Sequence, residues 1–213
     1  ELFSRASSDG GYLADADILA EYDRLIAAAK VDSLEFLSVL PATDVVVEQD
    51  PYGGFYRSAP RDGSRPAAFG AQTAGTLPRF TMPTLAYHET IPGHHVQIAL
   101  AQEMDLPLVL RETTFLGFTE GWALYAERLA WEHGWYANDA YGNLGRLQFE
   151  LMRAARMVVD TGLHALGWTY ADAMDYYQKA TGRSLQLAQS DVYRYAVWPG
   201  QAVSSGVGFA VLL

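Results

Sequence analysis

The stretch from His88 to His95 reads H-E-T-I-P-G-H-H, and it constrains the fold more than any other part of the chain. In the helical pattern H-E-x-x-H two histidines share one face, but here the second position is Pro92. On an uninterrupted helix His94 would point away from His88, and His95 would lie about 10 Å further along the axis. Proline removes a helical N–H and Gly93 tolerates unusual dihedrals, so we predict a break that loops out two residues and lets His94 take the second position.

This stretch has the chemistry of a zinc site. Histidine is the commonest metal ligand, and a glutamate beside the first histidine is the usual general base of zinc hydrolases. The spacing leaves the choice between His94 and His95 open, because a break that absorbs three residues would favour His95. In a plainer interpretation the Pro-Gly turn starts an ordinary helix, and both histidines are partly exposed polar residues. A zinc site needs a third ligand from elsewhere in the chain.

A candidate third ligand lies in the segment T-E-G-W-A-L-Y-A-E, from Thr119 to Glu127. Glu120 follows His94 at a distance that fits one helix, a connection and the start of another helix. A glutamate in the first turn of a helix is also stabilised by the helix dipole without any metal. Glu127 lies two turns further along the same face, so its carboxylate is a candidate acceptor for the N–H of a ligand histidine.

These two stretches together resemble the bacterial domain of unknown function 885 family, which is itself similar to the gluzincin zinc metallopeptidases. The resemblance implies a mainly α fold with a few short strands and a gluzincin-like helical metallohydrolase core. It implies zinc as the cofactor, held by His88, His94 and Glu120, with Glu89 as the general base. Several gluzincins have glycine directly before the second ligand histidine, as this chain has before His94, and this favours His94 over His95.

The resemblance covers nearly all of the chain but only part of a family member. Relatives carry a large helical region before the matched part, so we expect residues 1–213 to be a single domain, the C-terminal catalytic portion of a larger, mostly helical protein. The missing N-terminal helical region would be its partner. The end of the chain departs from the family, which usually has tyrosine and lysine near Ser205. Glu1 is neither an initiator methionine nor the start of a signal peptide, which leaves the compartment open, including export as a periplasmic protein or lipoprotein.

Composition narrows the classes of function. A net charge of −10 without runs of lysine or arginine argues against a nucleic-acid partner. No apolar stretch reaches the roughly 18 residues of a membrane span. The chain has no cysteine, which excludes disulfides and thiolate metal sites and leaves histidine and carboxylate as ligands.

Apolar spacing and breaker residues predict most of the secondary structure. The predicted elements are a helix over 14–29 with Asp15 as N-cap, a short helix over 33–40, a strand over 44–48, a loop over 51–66, a strand over 67–73, a metal-binding helix from an N-cap at Thr84 to about Met104, and helices over 118–133 and 140–166. Thr169–Asp172 has the pattern of a capping box, and Gly182 that of a C-cap. By the gluzincin resemblance an edge strand lies beside the metal helix and pairs with extended substrate. The strand over 67–73 is the candidate for this substrate-binding role. In the alternative it only contributes to packing of the fold.

The helix over 140–166 carries two lines of residues. One line is apolar and predicts the core-facing side; its members are Leu144, Leu147, Leu151, Ala155, Val158 and Leu166. The other line contains Arg153, Arg156, Asp160 and His164. Arg156 and Asp160 can form an ion pair. His164 resembles the family's D-T-G-x-H segment, which implies an active-site role, or it is hydrogen-bonded to Asp160 inside the helix pack.

Ser190–Tyr195 and Trp198–Gln201 also match the family. Gluzincins commonly use a downstream tyrosine or histidine to donate a hydrogen bond to the oxyanion, which makes Tyr195 a candidate, with Arg194 as a second. In the alternative, one of the two tyrosines, Tyr193 and Tyr195, lies in the core and the other on the surface, without a catalytic role.

The sequence therefore predicts a zinc-dependent hydrolase, a peptidase or amidase acting on a peptide or small amide. Zinc would activate a water, and Glu89 would accept its proton. A non-catalytic helical binding module with a structural or vestigial metal site is the alternative, and His95 or His164 as a fourth protein ligand would favour it. A metal-dependent amide-transferring enzyme would use the same residues.

Overall fold

The computed structural model describes residues 2–14 and 16–213, with 64% of residues in helices and 10% in strands. The prediction of a mainly α fold with a few short strands is confirmed. The helices are α1 (Leu2–Gly10), α2 (Ala16–Asp32), α3 (Met82–Glu89), α4 (His94–Glu103), α5 (Leu108–Glu112), α6 (Leu116–Glu132), α7 (Ala140–Ala165), α8 (Tyr170–Thr181), α9 (Leu185–Val197) and α10 (Gln201–Leu212). The strands are β1 (Tyr12–Ala14), β2 (Val45–Asp50), β3 (Phe55–Arg57), β4 (Ala67–Gln72) and β5 (Thr76–Pro78). The predicted N-cap Asp15 lies outside the described residues.

Three of the strands form a mixed sheet in the order β2-β4-β3, and β1 pairs with β5 separately. β4 runs parallel to β2, with Ala67 opposite Val45, and antiparallel to β3, with Gly70 opposite Phe55. Its residues 67–71 are all buried, as expected for a central strand. The predicted strand over 67–73 is therefore present, but it is not an edge strand.

The edge strand is β3, which falls in the segment predicted as a loop. Its three residues are too few to show an alternating pattern in the sequence. It is anchored by a 2.8 Å hydrogen bond from the Gly54 N–H to the Gly70 carbonyl. The Phe55 ring lies directly on Gly70, where a Cβ would overlap it. Because Gly70 has no side chain, the Phe55 ring packs there and holds β3 against β4.

Two hydrophobic cores hold the elements together. The first joins α2, β4 and α3, with Tyr22 edge-on to Phe69 at 4.8 Å and Met82 fully buried. The second joins α7, α8 and α9 around Val159 and Tyr177. Each fully buried large side chain contributes about 1.5–3 kcal/mol of burial free energy. Helices from both cores supply the side chains of the site described below.

The predicted break in the metal-binding helix is confirmed, since α3 ends at Glu89 and α4 begins at His94. Glycine is required at position 93, because a Cβ there would overlap the carbonyl oxygen of His88. Trp122 from α6 donates its indole N–H to the Pro92 carbonyl at 2.9 Å and holds the break in place. The prediction of Thr84 as N-cap is wrong, because the helix begins at Met82 and Thr84 lies buried within it.

Only part of the apolar line of α7 packs into the core of this chain, since Ala155 is buried in the second core while four larger members are exposed. Leu147, Leu151, Val158 and Leu166 are 46%, 40%, 39% and 66% exposed. The buried face carries Arg153 and Arg156 instead, together with small residues such as Gly145. The prediction failed because helical periodicity identifies an apolar face but does not tell which part of the molecule covers it.

Smaller differences concern short elements. The predicted helix over 33–40 is a single 3₁₀ turn, Ser33–Glu35. The capping box of Thr169 and Asp172 is confirmed, and Gly182 ends α8 in the left-handed conformation that glycine favours. In the part of the chain that the structure describes, no helix combines the length and apolar character of a membrane span.

Candidate metal centre

Three buried side chains meet where α3 gives way to α4. His88, Glu89 and His94 each place one potential ligand atom within 4.8 Å of the others. The two imidazole rings are nearly perpendicular, with centroids 4.7 Å apart. The break at Pro92–Gly93 brings them together, because an uninterrupted helix would separate their directions.

His88 is oriented by a carboxylate on a neighbouring helix. Its Nδ1 lies 2.8 Å from Oε1 of Glu127, and the other carboxylate oxygen accepts a 2.5 Å hydrogen bond from the Thr84 hydroxyl. A carboxylate accepts hydrogen bonds, so this contact assigns the proton to Nδ1 and leaves the lone pair on Nε2. The sequence predicted Glu127 as such an acceptor, and the structure contains the contact. The sequence does not predict this role of Thr84, because a threonine after proline is also typical of an N-cap.

His95 faces the other way. Its Nε2 lies 3.0 Å from the Thr43 carbonyl, to which it donates, and its Nδ1 accepts from the Tyr56 hydroxyl at 3.2 Å. Both ring nitrogens are therefore engaged outside the cluster. The structure brings His94, and not His95, next to His88.

Glu120 lines the same cavity as His88 and His94 but is not a member of the 4.8 Å group. One of its carboxylate oxygens, Oε2, accepts a 3.0 Å hydrogen bond from the Ser205 hydroxyl of α10. The helices α6, which carries Glu120, and α10 approach closely at glycines, since a Cβ on Gly208 would overlap the Gly117 carbonyl. Through this hydrogen bond Ser205, which lies in the C-terminal stretch expected to depart from the family, faces the site.

Burial dominates the electrostatics of this cluster. It lowers the pKa of His88 well below its ordinary value and that of His94 to about 3, so both imidazoles are neutral. Burial raises the pKa of Glu89 well above its ordinary value, and the Glu120 carboxylate adds to the rise. Burial would also raise the pKa of Glu120, but the Arg153 charge and the hydrogen bond from Ser205 hold it below the ordinary value.

The residues present fit a bound Zn²⁺. The Nδ1 atom of His94 is buried and has no hydrogen-bond partner among the described residues. A buried polar atom without a protein partner is costly unless a bound ion or water molecule satisfies it. Two neutral imidazoles with neighbouring carboxylates are the donor set that zinc takes in catalytic sites.

The cluster opens into a cavity of about 390 Å³. Residues 54–56, at the start of β3, line one side of it. Arg153 and Arg156 of α7 and Arg194 of α9 line another. The sequence predicts Arg194 only as a second oxyanion donor and the α7 arginines only as part of a helix line, and it does not predict this cationic wall. The only sequence signal for the cationic wall is the helical spacing of Arg153 and Arg156, which they share with Asp160 and His164.

Arg153 lies closest to the cluster. Its Nη2 is 3.1 Å and 3.3 Å from the two ring nitrogens of His88, and its Nη1 is 3.1 Å from Oε1 of Glu127. The Nη1 contact has ion-pair distance without the geometry of a hydrogen bond, and Nε has no partner among the described residues. Its side chain is buried against the Phe149 ring.

The structure does not bring His164 or Tyr195 to this cavity. The Nε2 of His164 donates to the backbone carbonyl of Tyr195 at 2.9 Å, which ties α7 to α9. The Tyr195 hydroxyl is 3.1 Å from that of Tyr177, within the second core. The hydroxyl thus packs in the second core, and Tyr195 is not among the residues that line the cavity.

The predicted contacts of Asp160 are also absent from the described hydrogen bonds. Its carboxylate accepts from the Gly200 N–H at 3.0 and 3.2 Å instead of pairing with Arg156 or His164. Arg156 donates to the carbonyls of Gln201 and Ala202. Both contacts serve to fix the start of α10, which carries Ser205.

Two solved structures are similar to this chain. A crystal structure of a candidate lipoprotein from Colwellia psychrerythraea has a TM-score of 0.88 and 38% sequence identity, over 91% of this chain and 35% of that one. The structure of a candidate lipoprotein of unknown function from Shewanella oneidensis has a TM-score of 0.85 and 18% identity, over 99% of this chain and 41% of that one. At 18% identity the likeness concerns the fold alone. The chain spans less than half the length of either protein.

Among curated proteins, no relative of the chain is found. The family model described as "Bacterial protein of unknown function (DUF885)" matches residues 2–213. The match contains every residue of the cluster and of the cavity wall.

Proposed function

The chain belongs to the DUF885 family of bacterial proteins of unknown function, and from its site we propose that it carries the catalytic part of a zinc-dependent hydrolase, a peptidase or amidase. The observation that carries the proposal is the buried group of His88, Glu89 and His94, with His88 oriented by Glu127. The resemblance to gluzincin metallopeptidases points to the same chemistry.

In this proposal His88, His94 and Glu120 hold the metal. Metal ligands must be deprotonated, and Glu120 is the cavity carboxylate whose pKa is held low, by the Arg153 charge and the Ser205 hydrogen bond against the effect of burial. Ser205 engages only one of its two oxygens. When bound, Zn²⁺ would supply a Lewis acid that polarises a carbonyl and lowers the pKa of a water molecule.

Glu89 is the proposed general base. Glu89 is buried beside the proposed ligand histidines. From there its carboxylate would take a proton from the attacking water and return it to the leaving amine nitrogen. Burial and the Glu120 carboxylate raise the pKa of Glu89, while the Arg153 charge limits that rise. Glu89 thus holds and releases a proton within the cavity.

The edge strand β3 supports a peptide as substrate. Gly54, Phe55 and Tyr56 line the same cavity as Glu89, and β3 pairs on one side only among the described strands. An extended peptide can add to such an edge through its own backbone hydrogen bonds. This role belongs to β3 and not to the strand over 67–73.

The alternative of a closed structural site needs a fourth protein ligand. His95 and His164, the two candidates, both hydrogen-bond to backbone carbonyls away from the cluster. This arrangement favours a catalytic site with an open position. An amide-transferring reaction would use the same residues, and no described contact favours it over hydrolysis.

We also propose that the exposed apolar line of α7 is covered in a longer protein. Leu147, Leu151 and Val158 form one stripe on the outer face of α7. The two related structures extend well beyond the part that matches this chain. A helical region of the same protein would bury the stripe. Both similar structures are described as candidate lipoproteins, and we propose that this protein is likewise exported and lipid-anchored.

Metal analysis together with a peptide screen tests the proposed function. Purified, unchelated protein is expected to contain about one zinc per chain, and His88→Ala to contain none, because His88 is a ligand in every version of the site. His133→Ala is the matched control, since His133 stacks on Phe36 away from the cluster. Protein that contains no transition metal and does not gain thermal stability from added zinc would refute the proposal.

A further inference from the structure

The cavity has two sides of opposite character. The helices α3, α4 and α6 contribute His88, Glu89, His94 and Glu120, while α7 and α9 contribute three arginines. The proposed ligands and the proposed base all lie on the first side, and from the second side only the charge of Arg153 enters that chemistry, through its effect on the pKa values of Glu89 and Glu120. Arginines that line a cavity without an assigned role are candidates for binding an anionic group of the ligand.

The three arginines differ in how many donors remain available. Arg156 is occupied, since its Nε and Nη2 donate to Ala202 and Gln201. Arg153 is only 5% exposed, yet its Nε and Nη1 have no hydrogen-bond partner among the described residues. Arg194 is exposed and lines the same cavity.

The available acids do not satisfy Arg153. Glu127 lies at ion-pair distance, but its two oxygens already take hydrogen bonds from His88 and Thr84. Unpaired guanidinium donors in a buried position are costly, and a carboxylate matches their planar fork with two parallel hydrogen bonds. Arg153 is therefore a buried cation with free donors in a cavity large enough for a small ligand.

We propose that Arg153 and Arg194 bind a carboxylate of the substrate, so that the site selects peptides presenting a free carboxylate near the bond to be cleaved. This inference rests on the proposed function. The carboxylate lies at the α7–α9 wall, because Glu89 and Glu120 would repel it from the opposite side. It comes either from the C-terminus of a short peptide or from an aspartate or glutamate side chain.

Calorimetric binding of four peptides distinguishes these sources. The variant Glu89→Gln is used, with and without zinc, because it lacks the proposed base and leaves the peptides intact. The first pair is N-acetyl-Ala-Ala-Ala with a free C-terminus and its C-terminal amide. The second pair, both amidated, is N-acetyl-Ala-Glu-Ala and N-acetyl-Ala-Gln-Ala. In one pair the carboxylate form is expected to bind about 10-fold or more tightly.

Arginine variants show whether the preference comes from the proposed wall. Arg194→Gln, at an exposed position, and Arg153→Lys, which keeps the charge but not the fork, are each expected to reduce the preference to about 3-fold or less. Arg5→Gln, at an exposed position away from the cavity, is expected to retain it. Circular dichroism and thermal melting establish that each variant is folded.

Several results would overturn the inference. Two of them are equal affinities within both pairs and no binding of any peptide at millimolar concentration. The third is a preference that persists in both Arg194→Gln and Arg153→Lys, which would mean that the metal and not the arginines binds the carboxylate. The zinc content of the chain distinguishes a failure of the carboxylate site from a failure of the proposed hydrolase function. A chain that prefers carboxylates but never binds zinc refutes the hydrolase alone, and a zinc-binding chain without the preference refutes the carboxylate site alone.

Discussion

Glu89 and Glu120 are two carboxylates of one cavity to which we give different roles. Glu89→Gln is expected to retain zinc, because the amide preserves the shape of a residue that is not a ligand. It is expected to lower turnover by about 10²–10⁴-fold, since an amide cannot accept the proton. Glu120→Gln is expected instead to weaken zinc binding about 10-fold or more, because it removes a charged ligand. Metal content by mass spectrometry and peptide turnover measure both effects.

The opposite result has a clear structural meaning. The three groups within 4.8 Å include Glu89 and not Glu120. If Glu89→Gln loses zinc while Glu120→Gln keeps it, Glu89 is a ligand and the two assignments must be exchanged.

The adjacent histidines provide a second comparison between single side chains. His94→Ala is expected to lose zinc to the same extent as His88→Ala, because the two imidazoles lie side by side, with ring centroids 4.7 Å apart. His95→Ala is expected to retain most zinc and to lower the free energy of unfolding by about 1–3 kcal/mol, since it leaves the Thr43 carbonyl without its donor. Zinc titration and urea unfolding decide the matter. Loss of zinc in His95→Ala with retention in His94→Ala would move the ligand to His95.

At the scale of elements, the break between α3 and α4 is what assembles the cluster. Gly93→Ala is expected to lower the free energy of unfolding by about 1–3 kcal/mol, because the new Cβ overlaps the His88 backbone, which cannot move without moving the imidazole. Zinc affinity is expected to fall with it. Gly117→Ala, a helical position with open space around it, is the control and is expected to cause no loss of stability. Equal stability of Gly93→Ala and the unsubstituted chain would mean that the break tolerates a side chain.

The sequence predicted this break well, because proline and glycine act locally on the backbone. It also identified Glu127 as a partner for a ligand histidine, since helical spacing places it on the face of Glu120. It did not predict β3, whose position depends on contacts with Gly70 from a distant segment. It also missed Arg153, because a charged residue in a helical line usually indicates a solvated face. Only the packing of α7 against α3 turns that face into the wall of a cavity.

At the scale of the whole molecule, α7 presents an apolar stripe to solvent. In this chain Leu151→Ser is expected to cost at most about 1 kcal/mol of unfolding free energy, because Leu151 is already 40% exposed. In a longer protein whose helical region covers the stripe, the same substitution is expected to cost about 2 kcal/mol or more. Val159→Ala, at a fully buried position, should cost the same in both proteins. Urea unfolding of the two proteins measures the difference, and an equal cost of Leu151→Ser in both would contradict the proposed covering.

The metal site joins parts of the molecule that are distant in the chain, and this predicts a stability effect. The proposed ligands come from α3, α4 and α6, so zinc would bind the folded arrangement and not the unfolded chain. Free zinc at about 100 times its dissociation constant is then expected to raise the free energy of unfolding by about 2.7 kcal/mol. His88→Ala is expected to show no such gain, while His133→Ala should show all of it. Thermal or urea unfolding with and without zinc measures the effect. A gain that persists in His88→Ala would mean that zinc binds elsewhere, because no other described histidine shares the cluster with His94.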